Sequence, residues 1–282
     1  MSITAKVYSS QSPLRHPRRF LEDAARDLIT STDFARRLFR QSIAQRYRHS
    51  SLGLLWAFAP PLVTALVVAL TRRGMPQASS TAAVAPPLYA VFGLMMAQTF
   101  LETFYTQRTI FSSNRMLLGR QRATVESMIL AGLYDNLFGL VIRTAILVCF
   151  MVAYRAVPAL TFPLGLLGIG VIFLLGSGLG LCFAPLSALK SDVDKILTFL
   201  PWLLFAVTPV FTPAVAGSAA GRVYERNPFT WLFDTVRAFT FGHVNGHISI
   251  LVLSLLSSLC IFPVAALFCR IARPHVVERL LD

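Results

Sequence analysis

Three charged residues lie inside long apolar stretches of the sequence and have the most chemistry available to them: Glu102, Asp135 and Arg143. A charged side chain exposed to lipid costs about 2.5–3.5 kcal/mol on insertion scales, so such residues usually face a bundle interior or a polar passage. Asp135 and Arg143 share a helix face but lie about 12 Å apart at 1.5 Å per residue, which excludes a direct pair. A structural role and a role in lining a passage both stay open for these intramembrane charges.

Residue patterns typical of enzymes and metal sites are weak in this chain. Only His243 and His247 have helical i,i+4 spacing, and no carboxylate lies near them in sequence, which argues against a metal pair. The four cysteines stand in apolar runs without CxxC spacing and are typical of small core residues. The sequence contains no GxxxxGK[ST] phosphate-binding loop. We therefore expect no catalytic residues, metal or cofactor, and any ATP hydrolysis must come from another subunit.

Aromatic side chains offer a second kind of chemistry, because the C–H faces of sugar rings stack on aromatic planes. Aromatic residues also form interfacial belts and fill cores, so each has an ordinary structural alternative. The chain has 22 phenylalanines. The candidates for lining a channel or gate are Trp56, Phe100, Phe104, Phe211, Phe229 and Trp231, together with the charged residues Asp234 and Arg237.

The composition indicates that these residues are positioned by helices in a membrane. Of 282 residues, 55% are hydrophobic and 14% are charged, and the mean hydropathy is +0.63. A soluble domain carries about a quarter charged residues. The composition therefore excludes a soluble enzyme, a disordered chain and a nucleic-acid-binding domain, despite a net charge of +13. We expect an all-α integral membrane protein.

Six apolar runs approach the roughly 20 residues that a transmembrane helix needs. In the fourth run, Gly176 and Gly180 have the GxxxG spacing that allows close helix packing. Nineteen of the 26 Lys and Arg residues fall on one side of the resulting topology and six on the other, which predicts cytoplasmic termini. Two regions follow: a cytoplasmic tail with an amphipathic helix (1–49) and one six-span domain (50–282). The predicted spans are 52–71, 88–107, 128–153, 162–189, 196–211 and 248–271.

Two further segments are amphipathic without being long enough to span. Residues 18–49 have apolar positions at helical spacing and basic positions largely on the other side, and Ser31-Thr32-Asp33 offers N-cap chemistry for their second half. This pattern predicts a helix at the membrane interface, with a solvated helix packed on a partner as the alternative. The outer run 229–241 would be about 20 Å long as a helix, too short to cross roughly 30 Å of hydrocarbon. It predicts a re-entrant helix pair acting as an external gate, or a helix that rests on the bilayer.

The stretch RYRHSSLGLLWAFAPP (46–61) and an NP…R…G pattern in 227–242 occur in this order along the chain. They resemble the opening of the first span and the outer segment of the permeases of type-two ABC exporters for capsular polysaccharide, O-antigen or teichoic acid. The Asp-Val and Thr-Pro-Val motifs within 192–210 are similar to their loop and span-five pattern. Residues 72–76 and 114–135 resemble the capsule-export branch most, although the connector lacks a proline-containing motif common in the other branches.

The resemblance covers roughly residues 30–272 and implies a permease subunit in the bacterial inner membrane. It implies a homodimer with two ATP-binding cassette subunits on its cytoplasmic face and a lipid-linked glycan passing between the two copies. Membrane lipids are further partners, and nucleic acid is not expected. The basic connector between spans two and three is expected to couple to the ATPase through Arg115, Arg120 and Arg122. Two alternatives stay open: a small-molecule or drug exporter of the same architecture, and a bilayer-resident glycan-modifying enzyme.

Overall fold

The computed structural model describes residues 17–48, 50–73, 85–119, 123–213, 219–242 and 247–281, and within these ranges it contains helices and turns but no strand. This confirms the predicted all-α class for the described residues. A 3-10 turn, Gly53–Ala57, leads into the third helix. The helices are α1 (Pro17–Thr30), α2 (Thr32–Tyr47), α3 (Ala59–Arg72), α4 (Pro86–Arg108), α5 (Ile110–Ser113), α6 (Arg115–Gly119), α7 (Val125–Ala153), α8 (Phe162–Leu189), α9 (Ser191–Leu197), α10 (Leu200–Val207), α11 (Ala219–Arg226), α12 (Pro228–Phe241) and α13 (Ile248–Leu281).

Four stretches among the described residues are long and apolar enough to cross a membrane: Gly53–Arg72, Val125–Ala153, Phe162–Leu189 and Ile248–Arg279. They correspond to the predicted first, third, fourth and last spans. Helix α4, at the predicted second span, has 23 residues and is long enough. Polar side chains such as Gln98 and Glu102 make it less apolar, and most of its surface is enclosed by other helices. The six-span count therefore stays a prediction.

The fifth span, predicted as one helix over 196–211, is wrong in that form. Helix α9 ends at Leu197, α10 begins at Leu200, and the backbone becomes extended at Thr208. Pro201 lies in the first turn of α10. Because proline has no N–H, it cannot bond the carbonyl of Leu197 and continue the preceding helix. The apolar run was correctly located, but hydropathy alone did not reveal this break.

Helix α8 forms the centre of the bundle and packs against α4, α12 and α13. A Cβ atom at Gly176 would lie 2.6 Å from the carbonyl oxygen of Phe100 on α4. A Cβ atom at Gly180 would lie 2.4 Å from the carbonyl oxygen of Phe104. Both distances are shorter than van der Waals contact, so only glycine allows α4 to approach this closely. The packing role predicted for the GxxxG pair is confirmed.

Helix α2 lies against α7 with part of its apolar face. Ala35 is completely buried, and the Phe39 ring lies 6.2 Å from the rings of both Tyr134 and Phe138. The helix is amphipathic as predicted, with Arg36 and neighbouring basic side chains exposed. Helix α7 of the same chain therefore covers part of the apolar face that was expected to contact lipid, and the alternative of a helix packed on a partner stays untested. Contact of the remaining surface with a membrane stays a prediction.

The last helix is longer than the sequence predicted. We expected the span to end near residue 271, but α13 continues to Leu281 through Pro274. A proline inside a helix removes one hydrogen bond. The extension is held by the buried side chain of Val276 and by Arg273, whose Nη2 donates to the carbonyl of Ala123 at 3.0 Å. Tertiary packing therefore outweighs the helix-ending tendency of the proline.

Candidate functional site

A polar cleft of about 310 Å³ opens between α2, α3, α4 and α7. It contains all three predicted intramembrane charges, which the sequence placed on two separate helices. Arg46, at the end of α2, adds a fourth charge. The other polar side chains in its wall include Gln98, Thr106 and Asn136. The structure thus collects charges from three helices into one polar space beside the apolar helix α3.

Each charge in the cleft has an oppositely charged partner. The Nη2 of Arg46 donates to Oδ2 of Asp135 at 2.9 Å, and Arg143 pairs with Glu102. Asp135 and Arg143 therefore pair with other residues rather than with each other, as their spacing predicted. Burial acts to lower the pKa of Arg46, but the hydrogen bond and charge of Asp135 outweigh it and raise that pKa. Pairing offsets part of the cost of placing these charges away from water.

Two uncharged residues on α7 shape the wall of the cleft, and the sequence analysis missed both. A Cβ atom at Gly139 would lie 3.4 Å from Oε2 of Glu102 and 3.6 Å from the terminal nitrogens of Arg143. The Oδ1 of Asn136 accepts a hydrogen bond from Thr106 at 2.9 Å, which connects α7 to α4. Positions 136, 139 and 143 lie on one helix face. In the sequence, the helical spacing of Asn136 and Gly139 from Arg143 was the one sign that they share its face.

At the opposite end of α4, Arg237 of α12 is the centre of a buried polar cluster. Its side chain is 5% exposed. Its Nη1 donates to the hydroxyl of Tyr89 at 2.8 Å and to Oδ1 of Asp234 at 3.0 Å. Its Nη2 donates to the carbonyls of Pro209 and Val210 at 3.2 and 2.9 Å. Asp234 and Arg237, three residues apart on α12, form an ion pair, and the guanidinium connects α12, α4 and the loop after α10.

Asn227 connects the same loop to the start of α12. Its Oδ1 accepts from the backbone N–H of Phe229 at 3.0 Å, which caps the start of α12. Its Nδ2 donates to the carbonyl of Val207 at 2.7 Å and to Oγ1 of Thr208 at 3.0 Å. At the other end of α12, Gly242 has a φ of 80°, the left-handed conformation that favours glycine as a helix stop. The NP…R…G and Thr-Pro-Val motifs are therefore parts of one contact.

Gly93 of α4 makes this contact possible, and the sequence analysis did not single it out. A Cβ atom at this position would lie 2.0 Å from the carbonyl oxygen of Val210. It would also lie 2.2 Å from Nη2 of Arg237. The first atom belongs to the backbone, so it cannot move aside as the end of a flexible side chain can. The absence of a side chain at position 93 leaves the space that the loop occupies.

Three residues predicted to line a channel or gate are buried within the chain. Phe100 and Phe104 are 3% and 2% exposed and belong to the contact between α4 and α8. Arg237 is buried in the cluster described above. A side chain enclosed by its own chain does not reach a passage between two copies in this conformation. In this conformation the three side chains make packing or polar contacts within the chain, and their lining role stays a prediction.

The remaining predicted lining residues are accessible. Trp56 and Trp231 are about half exposed, at 52% and 47%. Phe229 is half-buried, and its ring packs edge-on against a core phenylalanine at 4.9 Å. Phe211 stacks on a neighbouring ring at 5.7 Å, and the side chain of Asp234 is 48% exposed. The lining role of these five residues stays a prediction.

The cytoplasmic end predicted from the charge distribution contains a second set of links. Arg270 of α13 bonds Asp27 of α1 at 2.8 Å and Glu126 of α7 at 2.5 Å. The Oγ of Ser31 lies 2.7 Å from Oγ1 of Thr124 and makes no cap contact with α2, so the predicted Ser31 cap is wrong. These polar contacts attach the α1–α2 pair to α7 and α13, and hydropathy gave no indication of them.

The connector between α4 and α7 contains two short helices, α5 and α6. Arg115 is exposed at the start of α6, where a partner could reach it. Arg120 and Arg122 lie outside the described residues. Nearby, the buried guanidinium of Arg108 pairs with Asp194 at the start of α9, which joins the two connectors of this end. The coupling role of the three predicted arginines is therefore untested by the geometry.

Among the described residues, no group of three His, Cys, Asp or Glu side chains is placed to hold a metal ion. The histidine pair considered above includes His243, which lies outside the described residues. Cys149, Cys182, Cys260 and Cys269 are free thiols.

Comparison with known proteins identifies the class to which this arrangement belongs. Residues 35–241 match the family model described as ABC-2 type transporter. The match runs from α2 to the end of α12 and covers more than half of the chain. The chain belongs to the ABC-2 type transporter family. It is also 25% identical over 216 residues to the O-antigen export system permease protein RfbA of Myxococcus xanthus, a match that covers 73% of this chain and 79% of that protein.

As an ABC-2 type transporter, the chain is a multi-pass membrane subunit of an ABC exporter and associates with ATP-binding subunits. It is a permease rather than an enzyme in its own right. The resemblance to type-two exporter permeases for polysaccharides, stated from the motifs, is confirmed. The assignment to the capsule-export branch stays a prediction. Both the polar cleft and the Arg237 cluster lie within the region that matches the ABC-2 family.

Proposed function

We propose that this ABC-2 permease moves a lipid-linked polysaccharide from the cytoplasmic side across the bacterial inner membrane, with both of its termini in the cytoplasm. The observation that carries the proposal is the similarity to an O-antigen export permease along 73% of the chain. The excess of Lys and Arg on one side of the predicted topology supports the orientation. Capsular polysaccharide, O-antigen and teichoic acid all belong to this substrate class.

The proposal includes a homodimer with its substrate passing between the two copies. Helix α3 supports it, because much of its apolar surface is uncovered: Val63, Leu66, Val67 and Leu70 are each about half exposed. Trp202 of α10 is 76% exposed. A second copy or lipid would cover these faces. Cysteines introduced at position 66 should form a crosslink between copies if α3 faces its counterpart, whereas a lipid-facing α3 gives none.

ATP hydrolysis is assigned to two ATP-binding cassette subunits that contact the α5–α6 connector. Exposed ion pairs contribute only about 0–1 kcal/mol each, so single alanine substitutions at Arg115, Arg120 and Arg122 should be nearly silent. The triple variant should lose ATPase stimulation in the assembled complex. Full stimulation by the triple variant would remove these arginines from the coupling role.

The proposal also assigns the α11–α12 pair to an external gate that dips into the membrane. Single cysteines placed along 229–241, with the native cysteines replaced, can be probed with a membrane-impermeant thiol reagent. A re-entrant gate predicts protection in the middle of the run at rest and increased labelling during ATP-driven transport. Equal labelling at every position, unchanged by ATP, would indicate a helix that only rests on the bilayer.

Copurification tests the central claim. The affinity-tagged chain, extracted from its native membrane, should retain an ATP-binding cassette subunit whose ATPase activity is stimulated by polyprenyl-linked glycan. Cells lacking the chain should accumulate lipid-linked glycan on the cytoplasmic side. Stimulation by small apolar drugs without glycan accumulation would favour the small-molecule exporter. Altered glycan structure without an associated ATPase would favour the modifying enzyme.

A further inference from the structure

The polar cleft between α2, α3, α4 and α7 contains hydrogen-bond donors that have no partner within the chain. Asn136 is 4% exposed, and its Nδ2 has no hydrogen-bond partner. Arg143 is 6% exposed, and its Nε and Nη2 are both unpaired, while its Nη1 contacts Glu102. Leaving a buried donor unpaired carries the full cost of removing it from water. These donors are therefore well placed to bind an acceptor group that enters the cleft.

The shape of the free donor set indicates an anion with several oxygens. The Nε and Nη2 atoms form one edge of the guanidinium, and such an edge binds a carboxylate or phosphate through two parallel hydrogen bonds. Asn136 lies seven residues before Arg143 on α7, two turns away on the same face. Gly139 lies between them and adds no side chain to fill the space. Phosphate, with three or four oxygens, can accept from both side chains at once.

The cleft has the surroundings expected for a lipid head group. Its wall includes the apolar side chains of Pro61, Phe138 and Ile142 beside the polar residues. It adjoins α3, part of the candidate span with an uncovered apolar surface. Arg46, paired with Asp135 and with a side chain 48% exposed, stands among the lining residues as a second cation. A soluble anion would leave the apolar wall uncovered, whereas an acyl or prenyl chain would pack against it.

We propose that this cleft binds the phosphate group of an anionic lipid, with Arg143 and Asn136 as its direct ligands. The phosphate ester is common to two sources, a membrane phospholipid and the polyprenyl phosphate that carries a glycan. The second source rests on the proposed function, and the first does not. Glu102 competes with the phosphate for the guanidinium, so its carboxylate sets an upper limit on the affinity.

Three substitutions in the full-length chain test the site with opposite expected signs. Asn136→Asp keeps the Oδ1 acceptor for Thr106 but replaces the free donor with a negative oxygen. Arg143→Gln removes the guanidinium. Each should weaken binding about tenfold or more, the size expected when a charge-assisted hydrogen bond is lost. Glu102→Gln removes the competing charge and should strengthen binding, whereas a purely structural ion pair predicts no gain.

The measurement is native mass spectrometry of the purified chain in detergent, titrated with dioleoylphosphatidylglycerol, dioleoylphosphatidylcholine or polyprenyl phosphate. Gln41→Glu is the matched control, because it makes the same amide-to-carboxylate change at an exposed position of α2. It should bind phosphatidylglycerol like the wild type. If polyprenyl phosphate competes with phosphatidylglycerol for the wild type but not for Asn136→Asp, the ligand is the glycan carrier. If phosphatidylglycerol binds and polyprenyl phosphate does not compete, the ligand is a membrane lipid.

Three results would overturn the proposal. The first is unchanged phosphatidylglycerol binding by Asn136→Asp. The second is binding of zwitterionic phosphatidylcholine as tight as that of phosphatidylglycerol. The third is displacement of bound phosphatidylglycerol by inorganic phosphate at the same concentration at which a competing lipid displaces it. If Arg143→Gln fails to fold, the opposite signs expected for Asn136→Asp and Glu102→Gln still decide the question. No ATPase or transport is involved, so failure here is distinguishable from failure of the copurification test.

Discussion

Replacing Arg237 with alanine should destabilise the chain and release the loop between α10 and α11. In the structure one guanidinium serves Tyr89, Asp234 and the carbonyls of Pro209 and Val210. Its removal leaves buried acceptors without donors and Asp234 without its cation. The side chain of Asp234 is 48% exposed and can be hydrated after the change, so the cost comes mainly from buried acceptors left unsatisfied, about 1–3 kcal/mol each. We expect a loss of this size for Arg237→Ala, since its side chain is only 5% exposed.

Thermal unfolding monitored by a thiol-reactive dye gives the global measurement. Cys269 is completely buried, so it reacts only when the core opens, provided that Cys149, Cys182 and Cys260 are replaced. A local measurement uses a cysteine-free chain with Val210→Cys, because Val210 is 1% exposed. Its thiol should be protected when Arg237 is present and should react at room temperature in Arg237→Ala, well below the unfolding transition.

A graded series separates the hydrogen bonds from general damage. Tyr89→Phe keeps the ring, whose centroid lies 3.8 Å from the guanidinium carbon of Arg237. It loses the hydrogen bond from Arg237 and a long one of 3.5 Å to the carbonyl of Pro209, together worth about 1–2 kcal/mol. Arg237→Lys keeps the charge but cannot bridge four acceptors, so it should fall between the two. Arg222→Ala, at an exposed position of α11, is the matched control. The reasoning is refuted if Arg237→Ala unfolds at the same temperature as Arg222→Ala while the thiol at position 210 stays protected.

Three further predictions follow from individual contacts. Gly93→Ala should destabilise the chain by about 1–3 kcal/mol or prevent folding, because its Cβ would overlap a backbone oxygen at 2.0 Å. Gly170→Ala is the control, because nothing lies within 4 Å of its Cβ. It should be neutral or up to about 1 kcal/mol stabilising in the same dye assay. Arg270→Ala should speed amide hydrogen exchange throughout α1, and Arg279→Ala, exposed on the same helix, should not; equal exchange in both would contradict the link. Phe39→Ser should lower the free energy of unfolding by about 1–2 kcal/mol, since its half-buried ring packs on α7. An unchanged melting temperature would indicate that the apolar face of α2 contacts lipid instead of α7.

Hydropathy was sufficient to locate the long helices, because a membrane span is defined by continuous apolar length. It predicted α8 to the residue, and α7 within a few residues at its start. It failed where the helix is decided by backbone bonding or by tertiary contact. Pro201 interrupts the apolar run after α9, and Val276 extends α13 past Pro274. Neither effect changes local hydrophobicity, so neither is visible to a sliding average.

The charged residues of the cleft were recognised singly, but their grouping was not predictable from one sequence. Spacing on α7 excluded a contact between Asp135 and Arg143 and said nothing about which other helix would supply partners. Those partners, Arg46 and Glu102, are separated from them by 89 and 41 residues. Only the packing of α2 and α4 on α7 brings them together. Unpaired donors such as Nδ2 of Asn136 become apparent only after that packing is known.

The motifs that indicated the family are recognisable because their residues make rigid contacts within the chain, and not because they contact a substrate. In the NP…R…G segment, Asn227 caps α12 and holds the loop, Arg237 bonds two loop carbonyls, and Gly242 ends the helix. Each requires one residue type at one spacing, because the contact is to backbone at fixed geometry. An exposed side chain such as that of Trp202 faces no such requirement. The family can therefore be recognised from one sequence, whereas the residues that would select the proposed glycan must be sought among accessible side chains that carry no motif.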